Sequence, residues 1–217
     1  MPSRRLLLVT LPCLLLAAQA RAADPAVLNP LLEVQVVGRQ LLAIDSDSGG
    51  QRSLRLERGE NVLYTRSQGR VGVVVTDRRL LAIATRSGSW QEARYRKDEP
   101  PPPDVQLGDR VALALFQTRA VGFDGGSRNI VETVLGPRER VLQTAVGQNV
   151  VVVVTDRRAL GLSSDRGGFF EVRLNLGESP TSVSAFANHV TVQTAQRLLT
   201  FRGPEASWEE RRLPLNP

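Results

Sequence analysis

Apolar runs of five or six residues alternate with short polar breaks along the whole chain after its first two dozen residues. One run, "VVVTDRR", stands at Val73 to Arg79 and returns unchanged at Val152 to Arg158, seventy-nine residues later. That distance is too long for one supersecondary unit and implies two copies of a unit about half that size. A degenerate copy lies between them: "LFQTRAVGF" (Leu115 to Phe123) puts Arg119 forty residues after Arg79 and thirty-nine before Arg158. The frame extends outward to Arg197, thirty-nine after Arg158, and to Gln40, thirty-nine before Arg79. The chain therefore holds five units.

Columns that played no part in the alignment support it. Eleven residues after the anchor stand Gln51, Trp90, Ile130, Phe169 and Trp208; thirteen after it, Ser53, Glu92, Glu132, Glu171 and Glu210. Each unit reads as strands. A β-branched run such as "NVVVVVT" (Asn149 to Thr155) suits a buried pleated surface, and Asp-Arg then supplies a tight hairpin turn. The next strand carries large residues on one face (Leu81/Ile83, Leu160/Leu162) and small ones between them (Ala82, Gly161), so it lies between two sheets with close approach on the small side. A Gly/Ser/Asp turn follows, then a strand such as "FFEVRL" (Phe169 to Leu174), whose charges suit an outer edge. A further strand precedes the valine run in most units, as in "ERVLQT" (Glu139 to Thr144).

Four short antiparallel strands in about forty residues form the blade of a β-propeller, and the chain resembles that superfamily over nearly all its length. The resemblance implies an all-β, five-bladed β-propeller with about four antiparallel strands per blade. The repeats run approximately over 23–61, 62–101, 102–140, 141–179 and 180–217, together one domain, 23–217. The Gly-His and Trp-Asp signatures of WD40 repeats and the kelch double glycine are missing, so no subfamily follows. The alternative is an open β array or two separate β domains.

The N-terminus departs from the repeat. Arg4 and Arg5 precede an apolar run from Leu6 to Ala18, and small-x-small sites end at Ala20 and Ala22. That run falls short of the roughly 20 residues a membrane span needs. The expectation is a cleavable signal peptide over 1–22 and a bacterial periplasmic or secreted product; "SRRLLL" leaves the twin-arginine route open beside the general one. Cleavage after Ala22 leaves 195 residues, five times thirty-nine, as a closed ring would require. The only cysteine, Cys13, leaves with the signal, so neither a disulfide nor a lipid anchor is expected.

Loss of Arg4, Arg5 and Arg21 lowers the formal charge from +6 to +3, too little to imply nucleic-acid binding. His189 is the sole histidine and occupies a column held elsewhere by Val71, Val111 and Val150. No cofactor or metal site is expected. "DSDSGG" (Asp45 to Gly50) has calcium-like spacing that its sister turns do not repeat, and it reads as a polar turn. Inward carboxylates serve some five-bladed glycosidases, but the repeated Glu column falls on the outermost strand. The expectation is a monomeric, non-enzymatic binding or scaffolding protein whose partner is a protein or an anionic envelope polymer. A lectin-like module is the first alternative and a carboxylate-dependent glycosidase the second. The anchor turns of all blades open on one face, which gathers Arg39, Arg78, Arg79, Arg119, Arg157, Arg158 and Arg197 as a candidate binding rim for acidic groups. A structural reading stands beside it, in which each anchor arginine reaches a glutamate on the adjoining strand.

Overall fold

The computed structural model describes residues 30–214. The expected signal peptide (1–22) lies outside them. The blades follow the chain in order. The first contains β1 (Leu32–Val37), β2 (Gln40–Asp45) and β3 (Gln51–Arg55); the second β4 (Val62–Gln68), β5 (Val71–Thr76), β6 (Arg79–Ala84) and β7 (Gln91–Arg94). The third contains β8 (Val105–Leu107), β9 (Val111–Leu115), β10 (Arg119–Asp124) and β11 (Asn129–Val134); the fourth β12 (Val141–Val146), β13 (Val150–Thr155), β14 (Arg158–Ser163) and β15 (Phe169–Arg173). The fifth contains β16 (Pro180–Ala185), β17 (His189–Thr194), β18 (Arg197–Arg202) and β19 (Ser207–Arg212). Within each blade consecutive strands pair antiparallel, and the described residues contain no helix.

This is the expected all-β, five-bladed propeller, with one difference. Among the described residues the first blade has three strands and each of the others four. The position equivalent to β4, thirty-nine residues earlier, is 23–29, outside the described residues. The segment "DEPPPPD" (Asp98 to Asp104) connects the second and third blades: Pro102 is buried and its carbonyl accepts the Tyr64 hydroxyl at 2.9 Å, while Asp104 pairs with Arg66 at 2.7 Å.

The middle strands of the second, third and fourth blades bury side chains toward both neighbours. Val71, Val73 and Val75, with Leu80 and Ala82, pack on Ala112, Ala114, Val121 and Phe123 of the third blade. Val111, Leu113 and Ala120 in turn pack on Val151, Val153, Leu160 and Leu162 of the fourth. Val150, Val152, Val154 and Ala159 pack on Val190, Val192, Leu199 and Phe201 of the fifth, and Leu41 and Ala43 of the first on Val74, Leu81 and Ile83 of the second. The small column permits this approach: a Cβ added at Gly161 would lie 2.6 Å from the Phe201 ring. A backbone ladder joins the same blades. Leu31 N donates to Gly69 O (2.7 Å), Arg70 N to Asp109 O (2.8 Å), Arg110 N to Gln148 O (2.9 Å) and Asn149 N to Ala187 O (2.8 Å).

Between the first and fifth blades the pattern differs. Among the described residues, no strand of the first blade packs closely on a strand of the fifth. The side chains on those two outward faces explain why. Where inner blades place Val74, Ala112, Ala114, Val151 and Val153 toward the preceding blade, the first places Glu33 and Gln35. Where they place three valines, or Val111, Leu113 and Leu115, toward the next, the fifth places His189, Thr191 and Gln193. Burying these unpaired would cost more than their contacts return, and a polar outer face is how terminal repeats of an array stay soluble.

Candidate functional site

The four anchor arginines come first, because their columns led to the expected rim. Each begins the third strand of its blade, and each guanidinium lies between two carboxylates. Arg79 donates from Nε and Nη2 to Glu60, both at 2.9 Å, and from Nη1 to Glu92. Arg158 repeats the pattern with Glu139 (2.9 and 3.1 Å) and Glu171 (2.6 Å), Arg197 with Glu178 (2.8 Å twice) and Glu210, and Arg119 with Glu99 (3.0 Å from Nε) and Glu132 (2.6 Å). The second carboxylate of each set is the repeated outer-strand column. The first lies nineteen or twenty residues before its arginine, in the connector that enters the blade.

The remaining bonds tie that connector down. Arg119, Arg158 and Arg197 donate from Nη2 to the carbonyls of Arg94 (2.9 Å), Val134 (2.7 Å) and Arg173 (2.6 Å), where the preceding blade ends. Thr155 Oγ1 donates to Glu139 at 2.8 Å and accepts the amides of Arg157 and Arg158 at 3.1 and 3.0 Å. Thr76 and Thr194 do the same. In the third blade Phe116 replaces this threonine, and the Arg119 guanidinium lies 4.8 Å from its ring centre. Thr-Asp-Arg-Arg is therefore a hairpin turn that also fastens one blade to the next.

Electrostatics fit this reading. Burial pushes the Glu178 carboxyl upward, but the Arg197 guanidinium, the Asn175 amide and the Thr194 hydroxyl outweigh it and hold the pKa at about 2. Glu60, Glu99 and Glu139 are lowered by the same balance of burial against arginine. The Glu60 hydrogen bond, resisted by burial and helped by Glu92, raises the Arg79 pKa further.

Of the seven arginines expected on the rim, Arg79, Arg119 and Arg197 are buried and Arg158 is half-buried. Arg39, Arg78 and Arg157 are more exposed, but each donates to a connector carbonyl, Leu56 (3.0 Å), Gly59 (3.2 Å) and Pro137 (2.9 Å) respectively. Each of the seven thus has at least one guanidinium hydrogen bond within the chain, and Arg79, Arg119, Arg158 and Arg197 have three or more. The outer glutamates pair with those anchors rather than facing an open cleft. Asp45 accepts the amides of Asp47 (3.0 Å) and Ser48 (3.4 Å), an ordinary polar turn, and the described residues hold no cluster of metal-binding side chains.

The inner strands, which the sequence reading placed ahead of the valine runs without assigning them a site, border a recess. It measures about 600 Å³ and is lined by Thr65 to Gln68 of β4, Asp104 to Leu107 and Thr144 to Val146 of β12. Each inner strand is the edge of its sheet. Polar side chains dominate, and Gln106 Nε2 donates to Thr144 Oγ1 at 3.0 Å across neighbouring blades.

Strand order and blade packing make this chain a β-propeller protein. No family model and no curated protein matches it. Among solved structures it is similar to apo AztD from Citrobacter koseri, at 13% identity and a TM-score of 0.41 over 84% of this chain and 59% of that one. It is similar also to the N-terminal domain of Nup159 (13%, TM-score 0.34, 87% and 62%) and to yeast RCC1 (Prp20) bound by Kap60 (12%, 0.38, 77% and 55%). The chain spans less than two thirds of the length of each.

Proposed function

We propose that this protein is a non-enzymatic binding scaffold, exported to the bacterial periplasm or exterior, that holds an extended segment of a protein partner in the recess along its inner strands. The recess carries the reading. Three strand edges converge on one polar concavity, and exposed edges with polar side chains favour a chain that brings its own amides and carbonyls over a compact apolar ligand. The anchor arginines do not contribute, because their donors are already paired.

A recess-filling variant, Thr65→Trp with Thr144→Trp, tests the assignment by comparison with wild type in a pull-down from periplasmic extract. Wild type is expected to retain a partner that the variant loses at an unchanged melting temperature. Equal retention by both proteins overturns the recess. N-terminal sequencing of the exported form is expected to start near Ala23, and a cytoplasmic product that keeps Met1 overturns export.

A further inference from the structure

A second recess, of about 280 Å³, opens on the face opposite the Thr-Asp-Arg-Arg turns, where the second and third blades meet the first. Its lining includes Arg70, Arg86, Arg110 and Arg128, and Asp47 is the one carboxylate among them. Arg70 pairs with Asp109. Among the described residues Arg86, Arg110 and Arg128 make no ion pair and their side chains make no hydrogen bond. On the other face every anchor arginine has two carboxylates. Here three arginines line one recess with no carboxylate paired to them.

The fold does not require these arginines. Arg70 and Arg110 occupy one turn column, and Asn149 and Asn188 fill it in the fourth and fifth blades. Arg128 has a φ of 63°, a left-handed conformation that favours glycine, and stands in the column of Gly49, Gly88 and Gly167. Arg86 has a φ of 60° as well. Guanidinium groups gathered around one concavity raise its positive potential and present planar donor pairs that match tetrahedral oxyanions.

We infer that this recess binds a phosphate group, carried by a small soluble molecule or by a lipid headgroup. The inference is independent of the inner-strand recess, since the two share no residue. Calorimetric titration with inorganic pyrophosphate at low ionic strength is the first arm of its test, and sedimentation with phosphatidylcholine vesicles containing phosphatidic acid the second. Saturable binding of pyrophosphate that weakens with salt assigns a soluble ligand; binding confined to the vesicles assigns a lipid. The variant Arg110→Gln with Arg128→Gly should lose about tenfold or more in affinity in whichever arm binds, since each arginine supplies charge-assisted hydrogen bonds. Its melting temperature should hold or rise, because glycine relieves the left-handed turn. Arg157→Gln, on the opposite face, should bind as wild type does. Absence of binding in both arms, or undiminished binding by the double variant, overturns the inference.

Discussion

The fourth blade and the fifth share a backbone plan and a turn, and in the columns facing the next blade they part company. The fourth presents Val150, Val152 and Val154, each fully buried, while the fifth presents His189, Thr191 and Gln193 with His189 and Gln193 exposed. The first blade departs in the opposite sense, with Glu33 and Gln35 facing outward. It also lacks the arginine clamp, having Val37, Gln40 and Ser53 where the second has Thr76, Arg79 and Glu92. Repetition specifies the blade, and the exceptions to repetition mark the two faces that carry polar side chains in place of valines. Among the described residues four blade-to-blade interfaces result, with a polar outward face on the first blade and another on the fifth.

The largest effect should come from writing the end of the array into its middle. The variant Val150→His, Val152→Thr, Val154→Gln gives the fourth blade the face of the fifth. Each valine contributes about 1.5 kcal/mol or more by burial, and each polar replacement adds desolvation, so the loss is on the order of 6 kcal/mol. That rivals the whole stability of a typical domain. Loss of the cooperative melt, or proteolytic release of the fifth blade, is expected; a melting temperature near that of wild type would show that the face is not buried.

The clamp separates the same two classes of blade at smaller cost. Arg119→Gln leaves Glu99 and Glu132 facing a neutral group and should cost roughly 3 kcal/mol, whereas Gln40→Ala, in the same column of the unclamped blade, should stay within about 0.5 kcal/mol in denaturant unfolding. Acid should act like the first substitution. The Glu178 pKa is lowered to about 2 from an ordinary value of 4.5, so its contribution is complete above 4.5 and disappears as pH falls toward 2. The shift corresponds to roughly 3 kcal/mol. The melting temperature should therefore drop steeply below pH 4.5, with a shallower slope in Glu178→Gln.

Recurrence made much of this legible. The anchor, the outer glutamates and the small column stand at fixed distances, so five blades and the Arg–Glu contact across adjoining strands could be read directly. What repetition does not state is whether a repeated charge faces a partner or its own connector. Glu60, Glu99, Glu139 and Glu178 sit in connectors of differing composition, "RGE", "KDE", "PRE" and "LGE", and escaped notice although they recur every thirty-nine or forty residues. The ends were legible too, but only to a comparison that treats an exception in a column as information. His189 looked like a structural histidine in a valine column; read with Thr191 and Gln193 it marks a polar outward face on the fifth blade. The inner recess and the arginine recess assemble from different blades and leave no local pattern.

The smallest effect on stability should come from writing the middle of the array into its end, and it discriminates most sharply between an open arc and a ring. His189→Val, Thr191→Val and Gln193→Val give the fifth blade the face of the fourth. If the outward face meets solvent, the valines gain no partner within the chain, and His189 gives up only its stacking on Phe186, whose ring centre lies 4.5 Å away. The melting temperature should then move little. The new apolar face should drive self-association that sedimentation detects as a rise in mass with concentration, because an exposed patch of that kind is an adhesive surface. If instead the first blade closes on the fifth in solution, the same valines enter an interface with Leu42 and Ile44, stability rises, and the protein stays monomeric. Association without stabilisation supports the arc, and stabilisation without association requires the ring.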